Sequence, residues 1–352
     1  MKAMSLDAVL AKALDGGALE REDLFLLLTS TAINEHKAIF AAARELRARY
    51  FGHRVFLYGF IYFSTFCSND CSFCFYRRSN PLPGRYRKSA KEIVQTAVEL
   101  AHSGVHLIDL TMGEDDFFLT RPESLASLVT QVRAASGLPV MVSPGVLDGA
   151  ALDRLAAAGA SWYALYQESY SEALFARLRL GQSPAVRLAA KSHAARHGLL
   201  LEEGLLVGVG ETPFDLLVSL EAMRSQDFAQ VRAMTFIPQQ GTTLSHRTPD
   251  FSRELLLIAV MRLVFPRRLI PASLDVDGLV GLAERLDAGA NVITSIIPSG
   301  SGLVGVAHAE KDIDEGFRTV AGVQPLLRAR GLESASVGDY ADWIRERSWV
   351  HR

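Results

Sequence analysis

The chain carries three cysteines in 352 residues, and all three fall in one stretch, Cys67-Ser-Asn-Asp-Cys71-Ser-Phe-Cys74. Thiolates at i, i+4 and i+7, on a loop leaving the apolar run 55–66, can close round a single iron–sulfur cluster. A cubane cluster with three protein ligands keeps one iron open, where a small molecule can bind and receive an electron. Other uses of the cysteines fit less well. Three is an odd number, so a disulfide framework would strand one thiol. A structural zinc site takes four ligands in a tetrahedron, yet the next histidine after Cys74 is His102, and His53 lies upstream. Inert core cysteines would be scattered rather than clustered.

Such a loop needs a scaffold, and the chain supplies a repeated one. Apolar strand patterns fall at 55–63, 105–111, 139–143, 161–167, 200–207, 231–237, 269–275 and 291–297. Between them lie amphipathic or alanine-rich helix patterns at 89–103, 123–135, 148–158, 183–197, 212–225, 251–264 and 278–287. Ser89 and Pro213 sit where helix starts are expected. Eight strand–helix units in about 250 residues predict a closed α/β barrel of the (β/α)8 TIM type. The competing fold, an open doubly wound sheet, would want a Gly-x-Gly-x-x-Gly turn after its first strand for its nucleotide; here the first strand pattern runs into the cysteines instead. We expect one domain: a helical extension over 1–50, the barrel over 55–300, and a helical closure over 301–352, with helix patterns at 308–330 and 337–352.

In such barrels chemistry gathers on the loops at the C-terminal strand ends. Cys67 follows strand 1, and Gly113-Glu114 ends strand 2. Ser143 ends strand 3, Glu168 strand 4 and Gly208 strand 5. Asp109, Arg232, Ser273 and Asp275 lie in otherwise apolar strands, where an ionised side chain needs a partner. Ser273 and Asp275, two residues apart, should share one face of a strand. Two carboxylates and one guanidinium inside a barrel would complement a ligand with two ammoniums and one carboxylate. The same residues would also serve as an internal ion pair, Arg232 with Asp109 or Asp275.

Cys-x3-Cys-x-aromatic-Cys, with Phe73 as the aromatic, resembles the signature of radical S-adenosylmethionine (SAM) enzymes. The likeness extends to Tyr58-Gly-Phe-Ile-Tyr-Phe-Ser-Thr-Phe66, Arg85-Tyr-Arg-Lys88 and His106-Leu-Ile-Asp-Leu-Thr-Met-Gly-Glu-Asp115. Over about residues 30–325 the chain is similar to the lysine carbon-skeleton mutases of that family, which open pyrrolysine biosynthesis. The resemblance implies a [4Fe–4S] cluster on Cys67, Cys71 and Cys74, with SAM on the open iron. It implies SAM contacts from Phe73, Gly113, Glu114, Ser143, Glu168, Arg187 and Gly208. The backbone carbonyls of the Gly113-Glu114 turn would take the amino group, and Arg187 the carboxylate. Glu168 would take the amino or ribose end, Ser143 the ribose, and Gly208 would let the backbone approach adenine. Asp109, Arg232, Ser273 and Asp275 would hold the substrate, with Arg232 on its carboxylate. The implied reaction is a radical isomerisation of L-lysine to (3R)-3-methyl-D-ornithine, by fragmentation to a glycyl-type radical and an amino-alkene that rejoin at another carbon. A flavodoxin or ferredoxin would supply the electron.

Two alternatives stay open: a hydrogenase-maturation-like enzyme of the same fold, and a non-catalytic iron–sulfur scaffold. Sulfur insertion of the biotin-synthase type is disfavoured, because no cysteine remains for a second cluster. Composition narrows the rest. Apolar residues make up 49% and charged residues 22%, ordinary for a globular chain. A net charge of −2 gives no electrostatic case for nucleic acid or an anionic membrane. No apolar run approaches the ~20 residues that span a bilayer, and the expected location is the cytoplasm, where thiols stay reduced.

Overall fold

The computed structural model describes residues 5–82, 84–245, 247, 249–298 and 318–349. Three helices come first: α1 (Leu6–Leu14), α2 (Arg21–Leu28) and α3 (Ile33–Phe51). Then strands and helices alternate as β1 (Arg54–Ser64), α4 (Ala90–Ser103), β2 (Leu107–Met112), α5 (Asp116–Leu119), α6 (Pro122–Ser136) and β3 (Val140–Ser143). They continue as α7 (Gly149–Ala157), β4 (Ala160–Ala164), α8 (Glu172–Leu178), α9 (Pro184–Arg196), β5 (Leu200–Val207) and α10 (Pro213–Arg224). The last units are β6 (Gln230–Thr235), α11 (Phe251–Val264), β7 (Pro271–Ser273), α12 (Gly278–Asp287) and β8 (Val292–Ile296). The chain closes with α13 (Val320–Ala329), β9 (Glu333–Ser334) and α14 (Val337–Trp349).

Helix starts follow local chemistry. Ser89 and Glu92 form a reciprocal capping box on α4, and Thr212 with Asp215 does the same on α10, where Pro213 takes the first helical position. All barrel strands are parallel, in the order β6-β5-β4-β3-β2-β1-β8-β7. The pairing of β1 with β8 curls the sheet, and one bridge, Gln230 to Leu269, joins β6 to the approach of β7. The barrel is therefore nearly closed, and the open-sheet alternative falls.

The N-terminal helices lie on the outside of the barrel, α3 against α11 and α2 against α10 and α11. Arg44 and Arg47 of α3 donate to the carbonyls of Asp287 and Leu286 at the end of α12, at 2.7 and 2.5 Å. At the N-terminal end of the barrel, α14 acts as a plug. Tyr340 is fully buried, its hydroxyl 2.7 Å from that of Tyr58, and Trp343 stacks on Trp162 at 5.8 Å. His106 accepts from the Leu57 amide at 2.7 Å and donates to the Ala335 carbonyl at 2.8 Å, tying the β9 segment to the barrel floor.

Three expectations need correcting. Strand 7 ends at Ser273, so Asp275 lies beyond the strand and not on a shared strand face. Strand 4 ends at Ala164, which places Glu168 on the following loop. The C-terminal helix expected over 308–330 runs from Val320 to Ala329, and 308–317 lie outside the described residues.

Candidate active site

The cysteine loop leaves β1 at its C-terminal end and is fixed from several sides. Arg85 donates to the carbonyls of Thr65, Tyr76, Arg77 and Asn80, so one guanidinium gathers both flanks of the loop. Asp70 accepts from the Ser79 amide at 2.9 Å and from Arg77 and Arg78. The three thiols are free. Burial pushes Cys67 up to about 11; it also raises Cys74, helped by the neighbouring Cys71 and Cys67 sulfurs. Cys71 is buried and Cys67 and Cys74 are half-buried, so drawing all three as thiolates to one place calls for a cation. Among the described residues, the one set of three metal-ligating groups within 4.8 Å of one another is Asp153, His193 and His197 on the barrel exterior. The three cysteine sulfurs do not all lie within that distance of one another.

Beside the loop lies a charged surface. At Gly113 an added Cβ would fall 2.3 Å from the Phe66 carbonyl oxygen and 2.9 Å from Cys67 Cβ, so only glycine lets the end of β2 press on the cysteine loop. The Glu114 carbonyl accepts from both the amide and the hydroxyl of Ser68, each at 2.9 Å. These two bonds hold the turn after β2 against the cysteine loop. The Glu114 side chain lies over Gly145, accepts from the Val146 amide at 3.2 Å, and meets Arg187 at 3.5 Å. Ser143 ends β3, half-buried.

Glu168 is buried in a left-handed conformation (φ 65°), costly for a residue with a side chain and common at functional sites. One of its oxygens binds Arg179 Nη2 at 2.6 Å; the other, Oε2, is buried without a partner. Arg187 of α9 donates to the Tyr166 carbonyl at 2.6 Å and to Gln182 at 3.1 Å, while its Nε is buried and unpartnered. Burial and the adjacent Arg179 lower Arg187 to about 10. Half-satisfied buried charges of this kind call for a ligand. Phe73 packs with Leu174, Leu178, Leu206, Val209 and Phe236, and Gly208 (φ 80°) follows β5 nearby.

The barrel interior holds the predicted substrate residues and one that sequence reading missed. Arg232 binds neither Asp109 nor Asp275. Its Nε donates to Glu202 at 2.7 Å and its Nη1 to Thr294 at 3.1 Å. Both partners are fully buried. The remaining Nη2 has no partner. Asp109 takes the Thr111 hydroxyl on Oδ1 at 3.0 Å and leaves buried Oδ2 unpartnered. Burial, and next the charge of Glu202, raise Asp109 to about 8. Asp275 meets Arg318 at 3.1 Å, and its amide donates to Ser273 Oγ at 3.1 Å. A register shift in β8, with Ser295 at φ 64°, re-aims consecutive side chains. Thr294 then reaches Arg232 while Ser295 reaches Ser273 (3.2 Å) and Tyr62 (3.1 Å).

Besides Glu202, two further functional candidates were missed: Arg179 and Arg318. Glu202 and Glu203 are adjacent carboxylates in an apolar strand, a signal available in the sequence. Glu203, on the opposite strand face, pairs with Lys191 of α9 and accepts from Tyr170 at 2.7 Å.

A near-closed (β/α)8 barrel with three cysteines on its first loop and half-satisfied charges inside it and at its C-terminal mouth defines a radical SAM enzyme, and residues 61–223 match the model of the radical SAM superfamily. The chain is 42% identical over 346 residues to 3-methylornithine synthase of Methanosarcina acetivorans, covering 98% of this chain and 99% of that one. A crystal structure of methylornithine synthase (PylB) superposes with a TM-score of 0.90 at 42% identity, covering 95% and 99% of the two chains. The [FeFe] hydrogenase maturase subunit HydE of Thermotoga maritima is 31% identical over 284 residues, 78% of this chain and 81% of that one. The chain belongs to the 3-methylornithine synthase family.

Proposed function

We propose that the chain isomerises L-lysine to (3R)-3-methyl-D-ornithine, the first step of pyrrolysine biosynthesis. The observation that carries this reading is the end-to-end likeness to 3-methylornithine synthases, and the polar groups inside the barrel fit a diamino acid. Cys67, Cys71 and Cys74 would hold the [4Fe–4S] cluster, which with SAM supplies a one-electron reduction and a carbon-centred radical able to take a hydrogen atom from the substrate.

The remaining work falls to the chain. Arg187 Nε and Glu168 Oε2, buried and unpartnered, receive the carboxylate and the amino or ribose end of SAM. Phe73, Gly113, Glu114, Ser143 and Gly208 form the surrounding wall. Arg232 Nη2 receives the substrate carboxylate, with Glu202 and Thr294 fixing the guanidinium plane. Asp109 Oδ2 receives one ammonium. Asp275, steadied by Ser273 and Arg318, receives the other. Anchors at both ends keep two substrate fragments together until they rejoin, which is the positioning a rearrangement demands. A flavodoxin or ferredoxin delivers the electron, and the cytoplasm supplies the reducing conditions. Among the described residues no helix is long and apolar enough to cross a membrane.

Anaerobic incubation of the reconstituted, reduced protein with SAM and L-lysine should give an isomer of lysine with unchanged mass, resolved by derivatised chromatography. Formation of 5′-deoxyadenosine with lysine left intact would remove lysine as the substrate and favour a HydE-like role on another small molecule.

A further inference from the structure

Only one of the three cysteines, Cys71, has side-chain hydrogen-bond donors aimed at its sulfur among the described contacts. Gln182 Nε2 lies 3.1 Å from Cys71 Sγ and Arg179 Nη1 lies 3.7 Å from it. Both donors belong to the segment that follows α8, and that segment is itself stitched to the cysteine loop. The Leu178 carbonyl accepts from the Ser72 amide at 2.9 Å and from its hydroxyl at 3.3 Å. Arg179 is buried, lies 5.5 Å from the centre of the Phe73 ring, and is anchored at 2.6 Å by Glu168. Gln182 is oriented in turn, because its carbonyl oxygen accepts from Arg187 at 3.1 Å and from Arg179 at 3.4 Å.

We infer that Arg179 and Gln182 are tuning residues: they raise the reduction potential of the cluster through Cys71, and Arg179 couples that cysteine to Glu168 in the SAM site. A reduced cluster carries one more negative charge than an oxidised one. A fixed guanidinium charge and an N–H donor at one thiolate stabilise the reduced form, and hydrogen bonds to sulfur are an established control on such potentials. The local dielectric strengthens the effect most at Arg179, which is buried, while Gln182 is half-buried. The same guanidinium grips Glu168, so filling of the SAM site and reduction of the cluster act on one side chain. This inference rests on the reading of Cys67, Cys71 and Cys74 as cluster ligands.

The test is an EPR-monitored redox titration of the reconstituted protein, without lysine, alongside iron counting. Wild-type protein with about four irons per chain establishes the cluster; wild-type protein without them would refute the cluster reading itself. Given that cluster, Arg179→Met should move the midpoint to a more negative potential with iron content unchanged. Arg179→Lys, which keeps the charge, should restore most of the shift. Gln182→Met should give a smaller shift in the same direction. Addition of SAM should displace the wild-type midpoint by more than that of Arg179→Met. If Arg179→Met keeps its iron and its midpoint matches wild type, the inference is overturned. If that variant fails to retain iron because Glu168 is left unpaired, Gln182→Met decides: an unchanged midpoint overturns the inference, and a negative shift upholds it.

Discussion

At the scale of single residues the site is a set of half-satisfied charges, and Asp109 is the most informative. Its raised pKa of about 8 has a thermodynamic consequence. The folded protein keeps a proton that the unfolded chain releases near its ordinary value of 3.8. Between those values the native state binds more protons, so stability falls as pH rises through the window. Asp109→Asn removes that contribution. Thermal unfolding at pH 6 and pH 8.5 should therefore show a smaller stability loss in the variant than in wild type, and equal losses would contradict the assignment. On catalysis the bound substrate ammonium would displace the proton on Asp109, so the same substitution should cut kcat/KM by at least about 30-fold, the effect of losing one buried ionic contact. Glu202→Gln probes the partner of Arg232. Breaking a buried pair leaves an uncompensated charge, so denaturant titration should show a loss of about 3 kcal/mol.

The sequence exposed part of this residue scale. The cysteine spacing announced a cluster without help from the fold, because the chemistry lies in one loop. Arg232 was visible as an odd charge in an apolar strand, but its partner was not. Pairing across a barrel depends on register, and Gly204, not Glu202, stands opposite Arg232 in the ladder. Glu202 reaches it as a diagonal neighbour on the same face. Arg179 gave no local signal, since an arginine at a helix C-terminus usually faces solvent.

At the scale of elements the fold shows why strand ends and loops are so closely apposed. The boundaries of the barrel helices that periodicity and caps announced were legible within a residue or two, as α11 (251–264) and α12 (278–287) show. The end of β7 was not legible, because Leu274 still donates to the Thr294 carbonyl of β8 at 3.2 Å and, with Asp275, continues the strand's pattern past Ser273. Nor was the register shift in β8, which has no signature beyond two small polar residues. Gly113 supplies the element-scale prediction. A Cβ there would strike the Phe66 carbonyl at 2.3 Å, so Gly113→Ala must push the end of β2 away from the cysteine loop. Iron retained after reconstitution should fall well below wild type while far-UV circular dichroism stays the same. Full iron retention would show that the loop holds its shape without this contact.

At the scale of the whole molecule, the barrel is stoppered at one end and charged at the other. Tyr340 and Trp343 of α14 fill the N-terminal end against Tyr58 and Trp162, and the polar groups collect towards the mouth where the cysteine loop lies. Tyr340→Ala should destabilise the protein by roughly 3–5 kcal/mol, as other buried aromatic truncations do, without changing the cluster's EPR signature. A change in that signature with little loss of stability would mean that the floor of the barrel communicates with its mouth.

The barrel's role in this account is confinement: one lysine is taken apart and rebuilt without either piece leaving. The most direct measurement is a single anaerobic incubation with SAM and an equal mixture of unlabelled and uniformly 13C-labelled L-lysine, read by mass spectrometry of the product. The account predicts an isomer of lysine in two populations, fully light and fully heavy. Product of mixed labelling would contradict confinement, and the absence of any isomer from protein with an intact cluster would contradict the mutase itself.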